Sequence, residues 1–219
     1  MSLKILYYDQ WLVVVDKPAG MLVHPGRDPE PVEQIAMKTL RDQLGQRVYP
    51  VHRLDRPTSG VLLFLLDQEV VDCVRKQFDE QLVKKTYTAV VCGETQEEWT
   101  ARDQLQKSEG EPFREAETYF VRDRICTIGS DVFSVLTAAP KTGRFHQIRK
   151  HLLNGGMPIV GDFLYGEIGK MERIAELIDQ PRLMLHARQL SFVHPVEGYE
   201  IVVTSPLPER FTPFEGCDF

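Results

Sequence analysis

The stretch His52-Arg53-Leu54-Asp55-Arg56-Pro57-Thr58-Ser59-Gly60, followed at once by Val61-Leu62-Leu63-Phe64-Leu65-Leu66, decides how the rest of the chain is read. A short apolar run that rises directly out of Thr-Ser-Gly turn chemistry reads as a strand buried on both faces. The charged segment before it is then the loop entering that strand, and Pro57 supports this by biasing Arg56 away from the α region. One carboxylate, two guanidiniums and an imidazole anchored to a core strand are what a rigid scaffold uses to present a reactive group. For a lone Asp the ordinary role is structural, capping a turn or pairing with Arg53 or Arg56.

Outward from that strand, the pattern alternates between strands and helices. Leu3 to Tyr8 and Trp11 to Val15 are β-rich runs broken at Asp9-Gln10, which predicts a hairpin or two neighbouring strands. The extended segment through Val23-His24-Pro25-Gly26 is a loop, and a helix is predicted from Pro31, with Val32, Ile35, Ala36, Leu40 and Leu44 on one face and Gly45 as its stop. After the central strand, Asp67 is placed to cap a helix carrying Val70, Val71, Val74, Phe78 and Leu82. Lys84 to Val91 alternates as a strand that sets Lys85, Tyr87 and Ala89 on one face. Residues 93 to 114 are polar and acidic and read as a surface excursion. Strands are predicted at 115–121, near 124–128 and at 132–138. A helix over Arg144 to Leu153 would place Phe145, Ile148 and Leu152 on one face, Arg149 beside His146, and glycine at the C-terminus. A short helix at 171–178 and a strand pair at 182–193 and 199–204 complete the chain.

With 219 residues, 42% hydrophobic and 26% charged, the composition is that of an ordinary globular protein without a long apolar span, so no membrane association is expected and the cytoplasm is the expected location. Cys73, Cys92, Cys126 and Cys217 are far apart and lack metal-ligand spacing, so they read as incidental or buried thiols. The net charge of -6 argues at first against a nucleic-acid partner. Its distribution reverses that. Residues 94–115 carry seven acids against three bases and residues 197–219 five against one, a combined -8 that leaves +2 on the remainder. Lys141 to His151 holds four basic residues, two histidines and no acid, a patch able to act locally on an acidic molecule.

No phosphate-binding glycine loop, nucleophile elbow, HExxH helix or dinucleotide fingerprint is present, so any chemistry is built from scattered polar residues. A metal hydrolase drawing on His24, His52, Asp55, His146 and His151 is the rival, but residues five apart on a helix lie about 140° apart, so His146 and His151 would not share a face. Taken singly, Tyr87 reads as a strand aromatic, Ile148 as core and Arg149 as a solvated helix charge.

The combination reads differently. Asp16-Lys17-Pro18-Ala19-Gly20 with Val23-His24-Pro25-Gly26, then the Asp55 block, then Lys85-Thr86-Tyr87, then Gly143 to Arg149, then Gly161-Asp162, in that order, resemble the RluA-type RNA pseudouridine synthases. The resemblance covers nearly the whole chain. Residues 41–46, Pro57 and residues 182–187 resemble most the tRNA-modifying TruC group within it.

That resemblance implies a cofactor-free isomerisation of uridine to pseudouridine, with no metal. The N1 to C1′ bond breaks, the base turns, and C5 joins C1′. The target base must leave its stack, at about a few kcal/mol. By resemblance Arg53 fills the vacated space, Tyr87 stacks on the flipped base and is a candidate for taking the C5 proton, and Ile148 packs against the base. Asp55 acts as nucleophile or proton abstractor, with Arg149 as its ion partner opposing the pKa rise that burial alone would cause. Lys85, Arg144 and His146 are expected to bind substrate, while Asp162, Gly20, Gly26, Gly60 and Gly161 serve loop geometry. The implied fold is α+β, a pseudouridine synthase catalytic domain with a mixed, largely antiparallel central sheet flanked by helices and loops. The expected organisation is a single catalytic domain over 1–219, with no N-terminal S4-type RNA-binding domain and with the Asp55 loop, Tyr87 and the Arg149 helix meeting in one cleft. The expected partner is RNA, transfer RNA first and ribosomal RNA as the alternative, for a monomer without an obligatory protein partner. A non-catalytic RNA-binding protein is the competing class.

Overall fold

The structure, a computed structural model, describes residues 2–26, 31–178 and 182–215. Its contacts divide the chain into two compact units: residues 1–85 with 187–206, and residues 86–186 with 207–219. The described residues form ten strands with mostly antiparallel pairing and few helices, the α+β class read from the sequence. Among them, no helix is long and apolar enough to cross a membrane.

The first unit is built on the strand announced by the apolar run. Strand β1 (Lys4–Tyr8) and β2 (Leu12–Lys17) form the expected hairpin, β3 (Tyr49–Pro50) is a two-residue strand, and β4 (Ser59–Leu65) pairs with both β2 and β3. Every residue of β4 is buried, as a strand covered on both faces must be. Gly60, opposite Lys17 in the β2–β4 register, has φ +112°, and a Cβ there would lie 2.2 Å from the Ala187 carbonyl oxygen. Only glycine fits that approach. One core of this unit gathers Leu12, Val14, Leu63, Val74, Leu190 and Phe192.

Its helices are shorter than the periodicity suggests. The helix predicted from Pro31 is divided: a 3-10 turn over Val32–Gln34, then extended backbone at Ile35 bridging Leu22, then α1 (Ala36–Leu44), stopped by Gly45 in the left-handed region. The second helix, α2 (Val71–Asp79), starts after the site where Asp67 accepts a bond from the Glu69 amide, and ends before Leu82, which is exposed.

In the second unit, β5 (Lys84–Cys92, from Thr86 onward), β8 (Asp131–Pro140), β7 (Arg114–Ile128) and β6 (Glu98–Leu105) follow one another as antiparallel neighbours. The two strands predicted at 115–121 and 124–128 are one strand with an irregularity between Arg122 and Arg124. The segment read as a surface excursion contains β6, which pairs with β7 along the whole length of the strand. Its signal was present but diluted: Trp99, Ala101 and Leu105 alternate toward the core, Asp103 interrupts that face half-buried, and Arg102 and Gln104 face water.

Helix α3 (Gln147–Asn154) begins three residues later than predicted. His146, with φ 55° and ψ 31°, lies in the left-handed region and precedes the helix, so Phe145 and His146 are not on its face, and the helical spacing between His146 and His151 does not exist. Helix α4 (Ile168–Ile178) buries Met171, Ile174 and Ile178. Strand β9 (Leu185–Val193) passes from the second unit to the first, where it pairs with β10 (Glu200–Thr204).

Candidate active site

Asp55 sits in the loop that enters β4, and that loop is fixed through main chain. Lys17, fully buried, donates from Nζ to the carbonyl oxygens of Met21 at 2.8 Å, Pro18 at 2.9 Å and Arg56 at 3.3 Å. The Gly20 amide donates to the same Arg56 carbonyl at 2.8 Å. Arg56 returns the contact, its Nε donating to the Gly20 carbonyl at 3.0 Å and its Nη2 to Gln34 Oε1 at 2.8 Å. Within the loop the Thr58 amide donates to the Asp55 carbonyl at 3.0 Å. The main chain on either side of the Asp55 side chain is thereby fixed. A buried ammonium needs such acceptors, and these carbonyls supply three of them.

His52 anchors the other end of this loop. Its Nε2 accepts the Leu63 amide at 2.9 Å, and its ring stacks on Phe78 at 5.2 Å between centroids. Burial, with a smaller contribution from the Lys85 charge, pulls its pKa down to about 3. A neutral ring is what an amide donor requires. Burial also lowers the pKa of Lys85.

In the second unit, Tyr87 lies on β5 opposite Ala138, half-buried beside the core that contains Ile148. Arg149, only 4% exposed, makes a bidentate pair with Asp162: Nε to Oδ2 at 2.8 Å and Nη2 to Oδ1 at 2.7 Å. Asp162, assigned from sequence to loop geometry, does hold its turn, accepting from the Leu164 and Tyr165 amides, but it is also a buried partner of Arg149. The Tyr165 ring lies 4.9 Å from the Arg149 guanidinium carbon, and its hydroxyl is 2.9 Å from His146 Nδ1. Tyr165 and the Asp162 pairing were missed because residues 13 and 16 positions away in sequence carry no periodic signal toward Arg149.

The basic segment expected to border substrate is tied to the β6–β7 hairpin. Arg144 Nε donates to the Glu115 carbonyl at 2.9 Å, Lys150 Nζ to the Gln106 carbonyl at 2.6 Å, and Gln147 Nε2 to the Glu117 carbonyl at 2.9 Å. Arg53, Asp55 and Lys85 thus fall in the first unit, and Tyr87, Arg144, His146, Ile148 and Arg149 in the second. No group of three or more His, Cys, Asp or Glu residues among the described residues is arranged to hold a metal ion. Cys92 and Cys126 are buried and Cys73 is exposed; Cys217 lies outside the described residues.

The sequence profile of the RNA pseudouridylate synthase family matches residues 11–154, and the chain belongs to that family. It is 38% identical to tRNA pseudouridine synthase C of Pasteurella multocida, covering 96% of this chain and 94% of that protein. It is 40% identical to tRNA pseudouridine synthase C of Vibrio vulnificus, covering 92% and 89%. Among solved structures, human RNA pseudouridylate synthase domain containing 1 superposes with a TM-score of 0.77 at 27% identity, covering 94% of this chain and 84% of that one. Human RNA pseudouridylate synthase domain containing 4 shares the fold at a TM-score of 0.71 and 23% identity, covering 96% and 90%. The enzyme class read from the sequence, an isomerase acting on RNA, stands.

Proposed function

We propose that this chain converts a specific uridine of transfer RNA to pseudouridine, with Asp55, Tyr87 and Arg149 as its catalytic residues. The observation that carries the substrate is the near full-length match, at 38% and 40% identity, to two proteins named for acting on tRNA. The reaction needs no external electron or energy source. The N1–C1′ bond breaks, the detached base turns, the C5–C1′ bond forms, C5 gives up its proton and N1 ends protonated. An ionised Asp55 takes part at the sugar or the base, as nucleophile or as proton abstractor.

The immobilised Asp55 loop supports this reading, because effective attack requires a carboxylate that does not wander. Arg53 fills the space left by the flipped base, Tyr87 stacks on it, and Ile148 packs against it. Lys85, Arg144 and His146 contribute to substrate binding, Arg144 by adding charge near phosphate. We infer a monomer acting in the cytoplasm, with the chain serving as one catalytic module and without cofactor or obligatory protein partner.

The test is to incubate bulk tRNA and ribosomal RNA with wild-type and Asp55→Asn protein and map pseudouridines. New pseudouridine in tRNA from wild-type protein alone is the expected result. A new site confined to ribosomal RNA would replace the substrate, and absence of any new site in both pools would overturn the activity.

A further inference from the structure

We propose that Asp162 and Tyr165 are positioning residues that hold the Arg149 guanidinium in its working orientation; this rests on the reading that Arg149 serves catalysis. The segment that carries them lies beyond the residues 11–154 matched by the family profile.

The arrangement encloses Arg149 on one edge and one face. Asp162 takes the edge formed by Nε and Nη2, at 2.8 and 2.7 Å, so the edge formed by Nη1 and the second Nη2 hydrogen is directed away from it. Tyr165 takes a face at 4.9 Å, and its hydroxyl is tied to His146 Nδ1 at 2.9 Å. His146 immediately precedes the helix that bears Arg149 and is held in the left-handed region, an uncommon conformation for a residue other than glycine. The clamp therefore closes on both ends of the same helical turn.

The backbone of the segment is shaped to deliver the carboxylate. Gly161 has φ +74°, and a Cβ there would stand 2.1 Å from the Arg182 carbonyl oxygen, so the chain passes where only glycine fits. Asp162 is buried at 2% exposure, while its neighbours Phe163 and Leu164 are exposed. The Asp162 Oδ1 also accepts the Leu164 and Tyr165 amides at 3.2 and 3.3 Å. One carboxylate thus fixes the turn, orients the guanidinium and neutralises its charge. With its charge already balanced, Arg149 can stay buried and ionised before any substrate arrives.

The test uses total tRNA labelled with tritium at uridine C5, a position that loses its hydrogen as the C5–C1′ bond forms. Single-turnover tritium release and RNA binding are measured for Asp162→Asn, Tyr165→Leu, Arg149→Ala and the Arg149→Ala/Asp162→Asn double variant. Asp162→Asn keeps an acceptor for the turn amides but sets an amide donor against Arg149 Nε; Tyr165→Leu leaves the ion pair intact and keeps the proposal testable should the first variant not fold. Both single changes are expected to slow release by about 100-fold, the scale of a small misplacement of a catalytic group, with RNA affinity within about threefold of wild type. The double variant should be no slower than Arg149→Ala, since residues acting through one another are not additive. Wild-type rates in both Asp162→Asn and Tyr165→Leu, with Arg149→Ala slow, overturn this inference alone. A wild-type rate in Arg149→Ala overturns the catalytic role of Arg149 and this inference with it.

Discussion

The loop that bears Asp55 is fixed by bonds to its main chain, and the helix that bears Arg149 by a buried side-chain ion pair. The main chain around Asp55 is fixed by its neighbours: the Lys17 ammonium and the Gly20 amide bind the Arg56 carbonyl, and the Thr58 amide binds the Asp55 carbonyl. Arg149 is itself part of the scaffold, since its guanidinium forms the buried pair with Asp162 and lies against Tyr165. A buried side chain that is also a tie loses chemistry and stability together when it is removed.

The largest effect should come from Asp55→Asn. Removing the reactive carboxylate is expected to lower the single-turnover rate by about 10³-fold or more, the scale for deleting a catalytic group, while the melting temperature and RNA affinity stay near wild type. A large fall in melting temperature would break the contrast, because it would make Asp55 a structural residue. Arg149→Ala should instead lose activity and stability in the same protein. Leaving the Asp162 carboxylate buried without its guanidinium is expected to cost about 3 to 5 kcal/mol, measurable by urea denaturation.

Lys17→Met sharpens the first half of the contrast. The Pro18 and Met21 carbonyls would lose this donor in a buried site, at about 1 to 3 kcal/mol for an unsatisfied group, while the Arg56 carbonyl keeps the Gly20 amide. The Asp55 loop would then loosen, and we expect the catalytic rate to fall while RNA affinity is held. An unchanged rate would show that the lysine serves the fold only.

The last effect is on pH dependence and leaves activity at neutral pH untouched. His52 titrates at about 3 in the fold because burial disfavours its charged form, against about 6.5 in an unfolded chain. Between those values the unfolded state binds the extra proton, so stability is greatest above pH 6.5 and falls as the pH drops toward 3. The slope from this one group approaches about 1.4 kcal/mol per pH unit. Denaturant midpoints measured from pH 7 to pH 4 should fall less steeply in His52→Gln than in wild type, and equal slopes would remove His52 as the cause.

Much of this was written locally. The fully buried β4 followed from six consecutive apolar residues, and the β1–β2 hairpin from two β-rich runs around Asp9-Gln10. Gly45 stopped α1 where expected. The strand β6 was passed over because an acidic sequence hides an alternation of three apolar residues. The start of α3 was misplaced because residues 144–146 have helical composition, while His146 is fixed by its ring contacts in a conformation that propensity does not report.

By itself, the sequence determined the buried central strand, the first hairpin and the charged loop that enters that strand, because these rest on local hydrophobic pattern and on residue types adjacent in the chain; the class of sheet came through the family resemblance. The partners of the charged groups were decided only by tertiary structure. Lys17 finds a carbonyl 39 positions away, and Arg149 finds a carboxylate 13 positions away. Ion pairs and buried donors are satisfied by whatever acceptor the folded chain brings within about 3 Å, a distance that sequence separation does not encode.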